Sequence, residues 1–167
     1  MRPTSDRLRE TLFNILGPAV EDSLFVDVYA GTGAIGIEAI SRGAREVIFI
    51  EAHAASARLV RENLDALGAR EGAEVIEAAA LRGLEKLAAR RRMADFVFLD
   101  PPYEKQEEYL LALEFLDGSH LLAPRGLAIV EHSCKMELPE RFDRLERTRL
   151  VEQGDAALSF YCLAAAA

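Results

Sequence analysis

Apolar and polar positions follow two rhythms along this chain, a helical one and a strand one, and the two take turns. Leu8, Leu12 and Ile15, with Thr11, recur at helical spacing over residues 4–16, where Thr4 or Ser5 can cap and Asp6 suits the first turn. Gly17-Pro18 ends that helix. Leu24 to Tyr29 is a near-continuous apolar run, the pattern of a strand covered on both faces. A helix follows through about Ser41, closed by Gly43, and Glu46 to Glu51 reads as a second strand. Next comes a helix with Val60, Leu64 and Leu67 on one side and Gly68 as its stop. Glu74-Val75-Ile76 is a short strand, and Leu81 to Arg91 a helix interrupted early by Gly83. Ala94 to Leu99 is a fourth strand, and Glu107 to Leu116 a helix broken by Asp117-Gly118. Pro124-Arg125-Gly126 turns into a fifth strand, Leu127 to Glu131. Then the rhythm changes. Arg144 to Val151 and Ala157 to Leu163 are strand-like runs joined by Gln153-Gly154-Asp155, a hairpin signal. Alternating strands and helices that finish in two directly joined strands predict an α/β, Rossmann-like fold. Its sheet is mostly parallel, with helices on both faces and a closing antiparallel hairpin. With no repeat and no linker, residues 1–167 are expected to form one domain.

Composition narrows the partners more than the fold. Half of the residues are hydrophobic and the net charge is −8, which argues against a protein that grips nucleic acid over its whole surface. Arg2, Arg7 and Arg9, then Arg42 and Arg45, then Arg90-Arg91-Arg92 form local basic groups. Each reads first as a solvated helix face or end, and together they leave room for a small nucleic-acid contact. Cys134, Cys162, His53, His120 and His132 are scattered without metal-ligand spacing, so no metal is expected. No apolar run reaches the length of a membrane span and the first residues do not open a signal peptide, so a cytoplasmic protein off the membrane is expected.

Two stretches carry chemistry. Gly31-Thr32-Gly33-Ala34-Ile35-Gly36 is a G-x-G-x-x-G loop between a strand and a helix, and Glu51 lies twenty residues after Gly31. Such a loop lets the backbone approach a ligand closely, and Glu51 can accept hydrogen bonds from ribose hydroxyls. This predicts an adenosine cofactor, either a nicotinamide dinucleotide or S-adenosylmethionine. Asp27, just before the loop, would repel a pyrophosphate but suits the ammonium of a methionine-like ligand; the alternative is a structural, hydrogen-bonded carboxylate. The second stretch is Asp100-Pro101-Pro102-Tyr103, at the end of the fourth strand. Two prolines cannot continue a ladder, so a carboxylate, a carbonyl and an aromatic ring are displayed at the sheet's carboxyl edge. Asp100 and the Pro101 carbonyl can accept from an exocyclic amine while Tyr103 stacks on its base. The alternative is a strand followed by a Pro-rich turn.

Taken together, Asp27-Val28-Tyr29-Ala30-Gly31-Thr32-Gly33, Glu51 and Asp100-Pro101-Pro102-Tyr103 resemble class I S-adenosylmethionine-dependent methyltransferases that methylate amines. The run Arg2-Pro3-Thr4-Ser5-Asp6-Arg7-Leu8, with Gly36-Ile37-Glu38-Ala39-Ile40-Ser41 and Ala157-Leu158-Ser159-Phe160-Tyr161, is similar to the RsmD family. Those bacterial enzymes methylate the N2 amine of one guanine in 16S ribosomal RNA. The resemblance implies a seven-stranded sheet with an antiparallel last strand, and S-adenosylmethionine as cofactor. It also implies 16S ribosomal RNA or the 30S subunit as partner; a monomer is expected. It implies catalytic roles for Asp100, Pro101, Pro102 and Tyr103, and cofactor contacts from Thr4, Asp6, Asp27, Tyr29, Ala30, Gly31, Thr32, Gly33, Glu51 and Ala79. Two departures stand out. Family members carry a basic hairpin ahead of the segment matched by Arg2-Pro3-Thr4, and they usually place Asp or Asn where this chain has Ala79, whose side chain cannot accept from the adenine amine. A nicotinamide-dependent oxidoreductase and a silent RNA-binding module remain the competing readings.

Overall fold

The computed structural model describes residues 4–102 and 106–164, with side chains from Asp6 onward. Helix α1 (Thr4–Leu16) runs into a short 3-10 turn over Gly17–Val20. Strand β1 is Leu24–Val28, α2 Ala34–Ser41, β2 Glu46–Glu51, α3 Ala54–Ala66, β3 Ala73–Glu77 and α4 Ala80–Ala89. Then come β4 (Ala94–Leu99), α5 (Gln106–Gly118), β5 (Leu122–Ser133), β6 (Leu145–Gln153) and β7 (Ala156–Leu163).

The seven strands form one sheet in the order β3-β2-β1-β4-β5-β7-β6. β1 to β5 pair in parallel, whereas β7 runs antiparallel to both β5 and β6. The predicted mostly parallel sheet and closing hairpin are therefore both present. Why the central strands lack polar alternation is visible in the packing. Val26, Val28, Ile48, Ile50, Val97 and Leu99 face α4 and α5, while Phe25, Val47, Phe49, Phe96 and Phe98 face α1, α2 and α3. Both faces are dry, so every position of β1 is buried.

Four local expectations need correction. Leu67 was expected on the apolar side of the third helix, but α3 ends at Ala66 and Leu67 caps it at 63% exposure. Gly83 does not interrupt α4. It lies inside that helix, where a Cβ would stand 2.5 Å from Ile50 Cγ2, so glycine lets the helix sit down on β2. Asp117-Gly118 does not break α5, whose last residue is Gly118. Pro124-Arg125-Gly126 is not a turn before the fifth strand but lies within β5, in an irregularity between the pairs Ala94↔Leu122 and Phe96↔Leu127.

Candidate active site

The loop after β1 is built by left-handed backbone. Tyr29, Gly31 and Gly33 all have positive φ (62°, 59° and 84°), and Gly33 N–H donates to the Ala30 carbonyl at 2.8 Å. A Cβ on Gly31 would meet nothing within 4 Å, whereas one on Gly33 would press on Val60 and Phe49. Gly31 thus faces open space where a ligand can approach, and Gly33 packs against the sheet. The Asn63 amide of α3 donates to the Thr32 carbonyl at 3.0 Å and braces the turn. Tyr29 holds a conformation that non-glycine residues rarely adopt, at a cost of about 1 kcal/mol or more. Its hydroxyl donates to Glu108 Oε2 of α5 at 2.6 Å, which ties the loop to the opposite side of the site. Burial and the neighbouring Glu108 carboxylate both push the Tyr29 phenol upward, so it stays a donor.

Carboxylates end the strands around this loop. Glu51, at the end of β2, accepts from Gly31 N–H at 2.9 Å through Oε1 and from His53 N–H at 2.8 Å through Oε2. Each oxygen keeps a second lone pair for a ligand. Asp27 is buried in β1, and its Oδ2 accepts from Gly36 N–H at 3.0 Å, within the first turn of α2. It is therefore a structural carboxylate and a cavity wall at once. Burial holds the Asp27 carboxyl well above its ordinary 3.8, with Asp100 and Glu51 adding repulsion, while the Gly36 hydrogen bond opposes the rise. A cation bound here would relieve that repulsion.

Two cavities meet at this rim. One, of about 250 Å³, is lined by Tyr29, Glu51, Ala79, Asp100, Pro101 and Pro102 among others, with alanines 78–80 as an apolar wall. The other, of about 230 Å³, is lined by Asp6, Arg9, Asp27, Gly31, Thr32 and Glu131, together with Tyr29, Ala30 and Asp100. Tyr29 and Asp100 belong to both. The glycine loop, Glu51 and the double-proline corner therefore share one continuous rim. At that corner Pro101 is buried, Pro102 is exposed, and the Tyr109 hydroxyl donates to the Pro101 carbonyl at 3.4 Å, a long contact. Tyr103 and the Thr4 side chain lie outside the described residues.

The structure adds residues that the sequence reading did not place here. Arg9, read only as part of a basic group, lines the second cavity and stands 3.4 Å from Asp6. Glu108 and Glu131 had no assigned role, yet each lines a cavity. A signal for Glu131 existed: it follows an apolar strand run as Glu51 and Asp100 do.

The strand order is that of class I methyltransferases, and a solved RNA methyltransferase from Salinibacter ruber shares this fold with a TM-score of 0.68 at 16% identity, covering 95% of this chain and 92% of that one. The family described as "Conserved hypothetical protein 95" (Cons_hypoth95), the RsmD family, matches residues 1–162, and the chain belongs to it. "Ribosomal RNA small subunit methyltransferase D" of Haemophilus influenzae is 39% identical over 132 residues, 78% of this chain and 67% of that protein. The solved structure of yhhF from Escherichia coli superposes with a TM-score of 0.85 at 32% identity, covering 99% of this chain and 89% of that one.

Proposed function

We propose that this chain transfers the methyl group of S-adenosylmethionine to the exocyclic N2 amine of a guanine in 16S ribosomal RNA, within the 30S subunit. Family membership supports ribosomal RNA methylation, and the observation that carries the chemistry is Asp100, which lines both cavities at once. The residues present fit the cofactor. Glu51 suits a ribose diol, alanines 78–80 suit the adenine face, and Asp27 and Asp6 suit an ammonium group. A pyrophosphate would meet carboxylates instead, so calorimetric titration is expected to show binding of S-adenosylmethionine and none of NAD.

When bound, S-adenosylmethionine supplies an electrophilic methyl whose bond to sulfur breaks as a bond to the amine nitrogen forms, leaving S-adenosylhomocysteine. The protein's task is to ready the nitrogen. Its lone pair is delocalised into the ring. By accepting hydrogen bonds from the amine's two N–H groups, Asp100 and the Pro101 carbonyl favour a pyramidal nitrogen with its lone pair aimed at the methyl. Asp100 need not be a strong base, because the N–H becomes acidic only as the methyl arrives and its proton can leave afterwards. Gly31, with Ala30 and Thr32, lets the backbone close on the cofactor while Gly33 seats the turn on Val60 and Phe49, and Thr4 joins Asp6 at the methionine end. Ala79 contributes backbone only. Pro102 stiffens the corner, and Tyr103 holds the flipped base flat.

The test is mass mapping of methylated nucleosides after incubation with unmodified 30S subunits. N2-methylguanosine is the expected product. Methylated adenine or cytosine would overturn the guanine assignment, and labelled cofactor with no transfer at all would favour a silent binding module.

A further inference from the structure

Asp100 and the Pro101 carbonyl meet an amine that guanine, adenine and cytosine all carry, so they cannot tell those bases apart. Something beside them must. Glu131 is placed to do so. The register Leu99↔Val130 brings Asp100, the residue that follows β4, level with Glu131 of β5, beyond the pair Phe98↔Ile129. Neighbouring strands lie about 4.8 Å apart, so the two residues are neighbours across the sheet and line one cavity. Glu131 is 7% exposed and lines the cavity that Asp100 also lines. The strand order β1-β4-β5 sets Asp27 on one side of Asp100 and Glu131 on the other. The cofactor's ammonium group has its acceptor on the Asp27 side, which leaves the Glu131 side for the base.

We infer that Glu131 is the residue that selects guanine, by accepting the N1–H beside the amine held at Asp100. This rests on the N-methyltransferase reading above. On guanine's Watson–Crick edge, N1–H and N2–H2 are adjacent donors, and two carboxylates in their ionised form offer only acceptors. In adenine the amine sits beside the N1 lone pair, and in cytosine beside the N3 lone pair. There Glu131 sets acceptor against acceptor in a buried place, which is strongly unfavourable. Selection thus comes from repulsion of the wrong bases as much as from attraction of the right one.

The experiment compares the unaltered chain with Glu131→Gln on 30S particles carrying guanine or adenine at the nucleotide identified by mass mapping. A glutamine offers both a donor and an acceptor, so it tolerates either base. We expect kcat/KM on guanine to fall by about 10- to 100-fold, and the guanine-over-adenine ratio to fall by a similar factor. The Kd for S-adenosylmethionine should stay within about twofold. Glu131→Ala provides the second arm, with 1-methylguanine at the target. N1-methylation should block the unaltered chain yet cost the alanine variant little, because the methyl fills the space that the carboxylate left. An unchanged base ratio would overturn the inference. So would a tenfold weaker cofactor with guanine preference intact, which would assign Glu131 to the methionine end. If the unaltered chain forms no N2-methylguanosine, the underlying reading fails, and the inference with it.

Discussion

The two rims of this sheet are built from the same residue types and used in opposite ways. At the amino rim, charged side chains are held by close partners, either opposite charges or backbone groups. Arg90 meets Glu74 with two contacts of 2.8 Å, Arg92 forks onto Glu46, Arg45 reaches the Asp22 carbonyl at 2.6 Å, and Asp95 accepts from Leu24 N–H at 2.8 Å. These contacts are partly exposed and tie strand beginnings together. At the carboxyl rim, Asp27, Glu51, Asp100 and Glu131 gather around cavities, beside a tyrosine in left-handed backbone. Glu46 is held below the ordinary carboxylate range, chiefly by its hydrogen bonds to Arg92, whereas Asp27 is pushed above it by burial. Acidic groups gathered at one end of a well-paired scaffold suit a cationic ligand there, as proposed for S-adenosylmethionine. The amino rim also accounts for the Arg90-Arg91-Arg92 group: two of its three members hold strand ends rather than forming a phosphate track.

Substitutions at the two rims should have unequal effects. Asp100→Ala should have the largest effect, lowering the transfer rate by about 100- to 1,000-fold or more while cofactor binding is largely kept. Single-turnover assay with a parallel titration checks it, and near-normal transfer would remove Asp100 from the chemistry. Gly36→Ala should act on the fold, since the new methyl would sit 2.3 Å from the Phe49 ring beneath the loop. A loss of about 1–3 kcal/mol in denaturant unfolding is expected.

Asp27→Asn should weaken S-adenosylmethionine by about tenfold, the scale of one charge-assisted hydrogen bond, and yet stabilise the empty protein at neutral pH. A carboxyl whose folded pKa lies above its ordinary 3.8 binds more protons in the folded state. Stability therefore falls as pH rises from 3.8 through the folded pKa, and is level below and above that window. The thermal advantage of Asp27→Asn should vanish toward pH 3.8; an advantage that stays constant with pH would contradict the assignment. Arg92→Ala belongs to the other rim and should do least. A change below about 1 kcal/mol in stability, with transfer unaffected, is expected of a partly exposed pair.

The sequence made the carboxyl rim legible because its features are local. A glycine loop, a carboxylate twenty residues later and a double-proline corner each sit at the end of an apolar run, and parallel topology brings run ends together. What was missed depended on neighbours in space. Gly83 read as an interruption because only the structure shows Ile50 beneath it. Pro124 to Gly126 read as a turn, yet a strand flanked by β4 and β7 absorbs them in an irregularity. There Gly126 lies so near β4 that a Cβ would stand 2.9 Å from the Ala94 carbonyl oxygen. Leu67 matched the helical spacing of Val60 and Leu64, but the helix had already ended. Glu131 closed its run in plain view, and its weight appeared only when register set it level with Asp100.

Determining the structure with S-adenosylhomocysteine bound would show whether the cofactor lies along the carboxyl rim. The ribose hydroxyls should then lie on Glu51, the amino group toward Asp27, and the sulfur facing Asp100 across the double-proline corner. A ligand bound away from this rim, or with its sulfur turned from Asp100, would contradict this placement.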